Sequence, residues 1–368
     1  MSKYWRQHSS EGNLQEMLLD NDAEDIAREE TPEILSMLPD YENKDVIELG
    51  AGIGRFTSSL SEQSKSVVAV DFMQNFIEKN KETNDHYGNT EFICADVTHL
   101  DLPASSADIV FSNWLLMYLS NDEIVNLGRK MLSWLRNDGY FFFRESCFHK
   151  SGSKARENDF NPTQYRNPAE YVSLLERAVL PAENGNGSYA FEMVLSKNVQ
   201  TYLKMKQNKN QVCWLLKKVR VDTVHNHGYK TFQEFLDTQQ YSRNKILTYE
   251  KIFGRHFIST GGKETTEEFC KMLDLQPGQK VLDVGCGIGG GAFHMAQRYD
   301  VSVLGVDLSE NAVSIAWERC LEFMDSRVEF EVADATKRDY PAESFDVVYS
   351  RDTILHIDDK LALFKKFY

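Results

Sequence analysis

The chain has 368 residues, 42% hydrophobic and 26% charged, which predicts about two domains of ~150 residues and enough apolar material for two cores. Wholesale disorder is excluded. With 41 basic against 56 acidic residues the net charge is −15, a surface that repels phosphate backbones and sets nucleic acid aside as a main partner.

In chain order, short β-branched runs predict strands near 45–50, 66–71, 91–95, 107–112, 139–146, 189–196 and 211–219, separated by helical segments. A mixed polar stretch follows. A second series then predicts strands near 280–285, 302–307, 328–332 and 345–350, and a helix from Asp358 to Phe367. Strands alternating with helices imply a parallel, doubly wound sheet. The two series are a duplication. Val46-Ile47-Glu48-Leu49-Gly50-Ala51-Gly52-Ile53-Gly54 returns as Val281-Leu282-Asp283-Val284-Gly285-Cys286-Gly287-Ile288-Gly289. Val70-Asp71, Ala95-Asp96 and Ile109-Val110-Phe111-Ser112 return as Val306-Asp307, Ala333-Asp334 and Val347-Val348-Tyr349-Ser350, in the same order. The expected fold is α/β, with two tandem Rossmann-like domains. The first is complete over 1–222, residues 223–265 are a linker with the lead-in helices of the second, and 266–368 form a partial second domain.

No apolar run reaches the ~18–20 residues of a membrane helix, and Tyr140-Phe141-Phe142-Phe143 is strand-sized, so stable membrane insertion is not expected. The first residues hold no secretory apolar core. Six scattered cysteines form no CxxC pair, which indicates neither zinc nor a disulfide framework. The expectation is a cytoplasmic protein with reduced thiols and no metal.

Each copy places a Gly-rich turn between strand and helix. Glycines let the backbone pass close to a ligand, and the helix N-terminus carries partial positive charge. A GxGxxG with an acid about 20 residues on would suggest a dinucleotide. Here the spacing is GxGxG, with Glu48 or Asp283 before the first glycine and Asp71 or Asp307 at the end of the second strand. That variant is characteristic of S-adenosyl-L-methionine enzymes. Asp71 and Asp307 would accept the two ribose hydroxyls, while Asp96-Val97 and Asp334-Ala335 would lie at the adenine edge. A single such turn is as readily a plain strand–helix connection, and a nicotinamide dehydrogenase is the alternative. The three features occurring twice favour the methyl donor.

Further segments resemble phosphoethanolamine N-methyltransferases. In the first copy they are Tyr4-Trp5-x-x-His8-Ser9, Ser112-Asn113-Trp114-Leu115-Leu116-Met117-Tyr118, Phe142-Phe143-Arg144-Glu145-Ser146 and Asn161-Pro162-Thr163-x-Tyr165-Arg166. In the second they are Gln240-Tyr241, Tyr249-Glu250-x-Ile252-Phe253-Gly254, Ile258-Ser259-Thr260-Gly261-Gly262 and Ser350-Arg351-Asp352-Thr353-Ile354-Leu355-His356. The match spans the whole chain and is closest to the tandem-domain form. The resemblance implies two class I S-adenosylmethionine-dependent methyltransferase domains. The first adds one methyl to phosphoethanolamine, and the second carries the mono- and dimethyl forms on to phosphocholine. It implies cofactor contacts from Gly50, Gly52, Arg55 and Asn113 in the first copy, and from Ile258, Ser259, Gly285 and Arg351 in the second. The family pattern continues beyond what the second copy holds. A catalytically impaired second domain is therefore expected, one that is either weakly stable or pairs with another chain, self-association through its incomplete sheet included.

Methyl transfer from a sulfonium is an in-line displacement that needs a deprotonated amine and a dry, aligned site. In the second copy the resemblance points to Tyr241 hydrogen-bonded with His356 for proton removal, and to Gln240 and Tyr249 beside them on the substrate. In the first copy Tyr118 and Trp114 hold the places of His356 and Asp352, so Tyr4, His8 and Tyr118 are the amine-side candidates. The rings of Tyr4, Trp5 and Trp114 could hold a cationic amine. For the phosphate, candidates are Arg144, Ser146, Ser151, Gly152, Tyr165 and Arg166. A structural ion pair of Arg144 with Glu145 or another acid is the alternative. A methyltransferase for a sterol or quinone, or a regulatory product, are the competing functions.

Overall fold

A computed structural model of the chain describes residues 14–18, 20, 22–148, 162–182, 187–221, 232–323 and 325–368. Two compact units result: residues 1–193 with 199–224, and residues 194–198 with 225–368.

The strands up to Val221 are β1 (Asp45–Leu49), β2 (Ser66–Asp71), β3 (Thr90–Cys94), β4 (Ala107–Asn113), β5 (Leu135–Ser146), β6 (Leu180–Pro181), β7 (Ser188–Asn198) and β8 (Gln211–Val221). The short β6 was not expected. Strands β1 to β5 run parallel in the order β3-β2-β1-β4-β5. Val46, Ile47, Val67, Val70, Ile109 and Val110 are all buried, because helices cover both faces of a parallel sheet and leave its strands continuously apolar. The wholly parallel expectation needs correction at one end. β8 pairs antiparallel with β5, Phe143 opposite Trp214, and β7 lies beyond β8. Stacked Phe141, Phe143 and Trp214 fill that end.

The second unit holds β9 (Lys280–Val284), β10 (Ser302–Asp307), β11 (Val328–Val332) and β12 (Val347–Ser350), all parallel in the order β12-β9-β10-β11. Its lead-in segment is helical over Phe232–Phe235, Arg243–Phe253 and Gly262–Met272.

Two local devices set the site. The helix Asn121–Trp134 starts on a capping box. Ser120 accepts the Glu123 N–H and Glu123 accepts the Ser120 N–H at 2.7 Å, which fixes the turn at the end of β4. In that turn Trp114 and its counterpart Asp352 both take φ +57°, a left-handed conformation unusual for such residues. A single 3-10 turn follows each, Leu116–Tyr118 and Ile354–His356. Tyr118 and His356 therefore occupy the same structural position.

Candidate functional site

The glycine turns end β1 and β9 and are tied to the neighbouring strand by one repeated motif. Gly52 and Gly287 take φ +56° and +55°, and each donates its N–H to the acid of the next strand, Asp71 or Asp307, at 2.9 Å. The second oxygen of each acid accepts a backbone N–H two residues on, from Met73 or Ser309, again at 2.9 Å. Burial pushes Asp71 up to about 6 against the pull of these donors and raises Asp307 likewise. Beneath the turns, burial lifts Glu48 to about 8 and Asp283 to about 7. Glu48 accepts the Thr57 hydroxyl at 2.5 Å. Asp96 and Asp334 are held by their own turns, each accepting both the N–H and the hydroxyl of the threonine two residues on.

In the second unit a cavity of about 790 Å³ opens at the strand ends. It gathers every site residue expected there: Gln240, Tyr241, Tyr249, Ile258, Ser259, Gly285, Asp307, Asp334, Ala335, Arg351 and His356. Tyr241 packs on Ile246, Ile288, Ala312 and Ile315. Burial, with Asp307, Tyr249 and Asp352 nearby, raises its phenol pKa, so it is a neutral phenol at pH 7. The expected Tyr241–His356 hydrogen bond is not among those of the described residues; the two meet only as walls of one cavity. Such bonds are often long before substrate closes a site. Arg351 lines the same cavity with its guanidinium already engaged. Its guanidinium donates to the Thr266 hydroxyl at 2.9 Å and to the carbonyls of Thr260 and Gly262, so it braces the loop after Ser259 while lining the cavity.

The first unit treats its arginines differently from expectation. Arg144 is fully buried. It lies 2.5 Å from Glu30, stacks 3.6 Å from the Trp114 ring centroid and donates to Asn113. Arg55 donates to the same Glu30 at 2.7 Å. One carboxylate on the helix Ala23–Leu35 thus bridges two guanidiniums, and Arg144 covers a face of the indole expected to meet the amine. Glu145 is not the partner: it accepts the N–H groups of Leu115, Leu116 and Met117, and burial pushes it up to about 7. Arg166 is also corrected. Its guanidinium donates to Asn121, Gln164 and the carbonyls of Leu116 and Leu119, leaving it a brace for the turn rather than a free phosphate ligand. Ser146 is buried in a network with Gln211, which accepts from the Trp114 indole at 2.9 Å. Tyr165 is half-buried on the loop before Arg166. Tyr118 packs with Met17, Ile53 and Phe72 against Met73 and Phe76. Gly50 and Val97 sit at the ends of β1 and β3, as the pattern requires. Tyr4, His8, Ser151 and Gly152 lie outside the described residues.

Sequence reasoning missed Glu30 and Asp237. A signal existed for Glu30, an acid within the buried stripe Ala23, Ile26, Ala27 and Ile34. Such placement is rare for an unpaired acid.

The paired glycine-and-acid cradles at the ends of parallel strands define a methyltransferase of duplicated architecture. A methyltransferase-domain family matches residues 46–139 and again 281–368. Phosphoethanolamine N-methyltransferase 3 of Arabidopsis thaliana is 53% identical over 367 residues, 99% of this chain and 73% of the relative. Phosphoethanolamine N-methyltransferase 1 of Zea mays is 52% identical over 99% of this chain and 72% of its own. Among solved structures, Haemonchus contortus phosphoethanolamine N-methyltransferase 1, in complex with phosphoethanolamine and S-adenosylhomocysteine, aligns with a TM-score of 0.80 at 29% identity. The alignment covers 97% of this chain and 79% of that one. The chain belongs to the phosphoethanolamine N-methyltransferase family.

Proposed function

We propose that the chain methylates phosphobases with S-adenosylmethionine. The first domain, over residues 1–222, acts on phosphoethanolamine. The second, led in by 223–265 and formed by 266–368, carries the cofactor and amine-side residues for mono- and dimethyl acceptors. The observation that carries this reading is the cradle repeated at Gly52–Asp71 and Gly287–Asp307 with the same 2.9 Å bonds.

The residues fit the cofactor. A carboxylate offers about four lone-pair sites, and the two N–H bonds to Asp71 leave room for ribose hydroxyls. A Cβ on Gly52 would meet Met17, and one on Gly287 would meet Ile258, so both turns keep the backbone bare where a ligand approaches. The adenine edge falls to Asp96-Val97 and Asp334-Ala335. When bound, the cofactor supplies an electrophilic methyl group.

The chain supplies alignment and proton removal. Tyr241 and His356 face one cavity with Asp307, where an imidazole nitrogen takes the ammonium proton and the neutral Tyr241 hydroxyl orients the amine. In the first unit Tyr118 stands in the place of His356, while Tyr4 and His8, outside the described residues, are assigned to the amine by the family resemblance alone. Arg55 and Arg144 share Glu30, and Glu145 and Glu48 also act on them, so the pair orders this end of the site instead of supplying a free positive charge. Ser146 and Tyr165 are the phosphate-side candidates among the described residues, and Ser151 and Gly152 are assigned to the phosphate by the family resemblance alone. Six cysteines with no CxxC pair among them suit a reducing, cytoplasmic setting. No helix of the described residues is long and apolar enough to cross a membrane.

Incubation with methyl-labelled cofactor and phosphoethanolamine tests the reading. Monomethyl product is expected from the parent, loss of that product by at least 100-fold in Asp71→Ala, and near-parental formation in Asp307→Ala. Absence of turnover with every phosphobase would sink the proposal, and the reverse pattern of variants would assign the first step to the wrong unit.

A further inference from the structure

The turn that brings Gln240 and Tyr241 to the second cavity is anchored by a residue that no sequence motif singled out. Asp237 lies within the helical turn Leu236–Gln240. Its carboxylate accepts the Ser309 hydroxyl at 2.6 Å, the Glu310 N–H at 3.1 Å and the Asn311 N–H at 3.4 Å. The Asn311 side chain reaches back, donating to the carbonyls of both Asp237 and Tyr241 at 3.1 Å. The helix Glu310–Phe323 thus begins on an acid from another element, which its N-terminal dipole favours.

Ser309 is the joint. Its N–H goes to Asp307, the acid of the cofactor cradle, and its hydroxyl goes to Asp237. We propose that Asp237 is a positioning residue that latches the Gln240–Tyr241 turn onto the cofactor end of β10, so that occupancy of the cradle and placement of Tyr241 are energetically coupled. The proposal rests on the cofactor reading of this site.

The first unit shows what the latch replaces. Met73 holds the place of Ser309 and gives its N–H to Asp71 at 2.9 Å, but it has no hydroxyl. It packs instead with Phe76 against Met17, Ile53, Phe72 and Tyr118. One unit closes its cradle with apolar contacts, the other with a hydrogen-bonded carboxylate. Coupling of this kind is reciprocal: whatever tightens the turn must tighten cofactor binding by the same factor.

The test uses the full chain carrying Asp71→Ala, so that S-adenosylhomocysteine titration reports the second unit. Amide exchange is followed over residues 236–241. In this parent the ligand is expected to slow exchange there. Asp237→Ala is expected to abolish that protection and to weaken ligand binding about tenfold, the order expected for charge-assisted hydrogen bonds. Asp237→Asn, which keeps an acceptor for the Ser309 hydroxyl, should restore at least half of the protection. A purely structural role would show no such rescue. Should Asp237→Ala fail to give a cooperative melt, Ser309→Ala decides, with the same loss of ligand-dependent protection expected. Parental affinity and protection in the folded variants would overturn the latch alone. A parent that does not bind S-adenosylhomocysteine at its second unit would overturn the cofactor reading and the latch together.

Discussion

Replacing Glu30 by alanine leaves two guanidiniums without their shared anion, one of them wholly inside the fold. The side chains of Glu30 and Arg144 are both 0% exposed, and that of Arg55 is 12% exposed. Removing one partner of a buried pair costs about 3–5 kcal/mol, because the remaining charge stays desolvated. In a unit of this size each kcal/mol lowers Tm by about 2–4 °C, so Glu30→Ala should lower the first unit's melting temperature by roughly 6–20 °C. Calorimetry of the full chain measures it. The second transition, followed through its own response to S-adenosylhomocysteine, should not move. The double variant Glu30→Leu with Arg144→Met removes the wholly buried charge and leaves only Arg55, which reaches solvent, so it should recover most of the loss, since an apolar pair of similar volume often substitutes without penalty. A Glu30→Ala shift below about 2 °C, or a double variant less stable than the single, would refute the bridging role.

Two other outcomes follow from the cradle. Asp71 must be ionised to accept two ribose hydroxyls, yet its folded pKa lies near 6, so cofactor affinity of the first unit should fall below pH 6, approaching tenfold per pH unit. For the unliganded protein the sign is opposite. The acid's pKa is raised above its ordinary 3.8, so its contribution to stability is present at pH below 3.8 and is lost as pH rises through about 6. Isothermal titration across pH 5–8 with the Asp307→Ala variant separates the first site; an affinity flat down to pH 5 would contradict the assignment. Gly52→Ala forces a left-handed φ on a residue with a Cβ, at about 1–2 kcal/mol, and drives that Cβ to 2.5 Å from Met17. It should weaken S-adenosylhomocysteine binding at the first site by more than tenfold while leaving the second unchanged, as titration would show.

The amino-acid sequence determined much of this molecule directly. Runs such as Val46-Ile47 and Val281-Leu282 could only be buried parallel strands once helices alternated with them. The strands near 45–50, 66–71, 107–112, 280–285 and 302–307 fall where those runs lie. Their duplication exposed the paired cradle, because a glycine turn and an acid at fixed spacing are local facts that need no tertiary knowledge. The residues expected around the second cofactor also converge on one cavity.

Tertiary structure decided what pairs with what. That β8 turns antiparallel against β5 depends on long-range pairing, to which hydrophobic periodicity is blind. Arg144 and Arg166 read as an anion site from their place after a strand, and only packing shows Glu30 and backbone carbonyls already meeting them. A buried cation must be matched wherever the fold supplies an acceptor, and that acceptor can come from any distance along the chain. Asp237 is the same case: an ordinary acid in a polar segment becomes the clasp of Tyr241 because folding sets it at the first turn of the helix Glu310–Phe323.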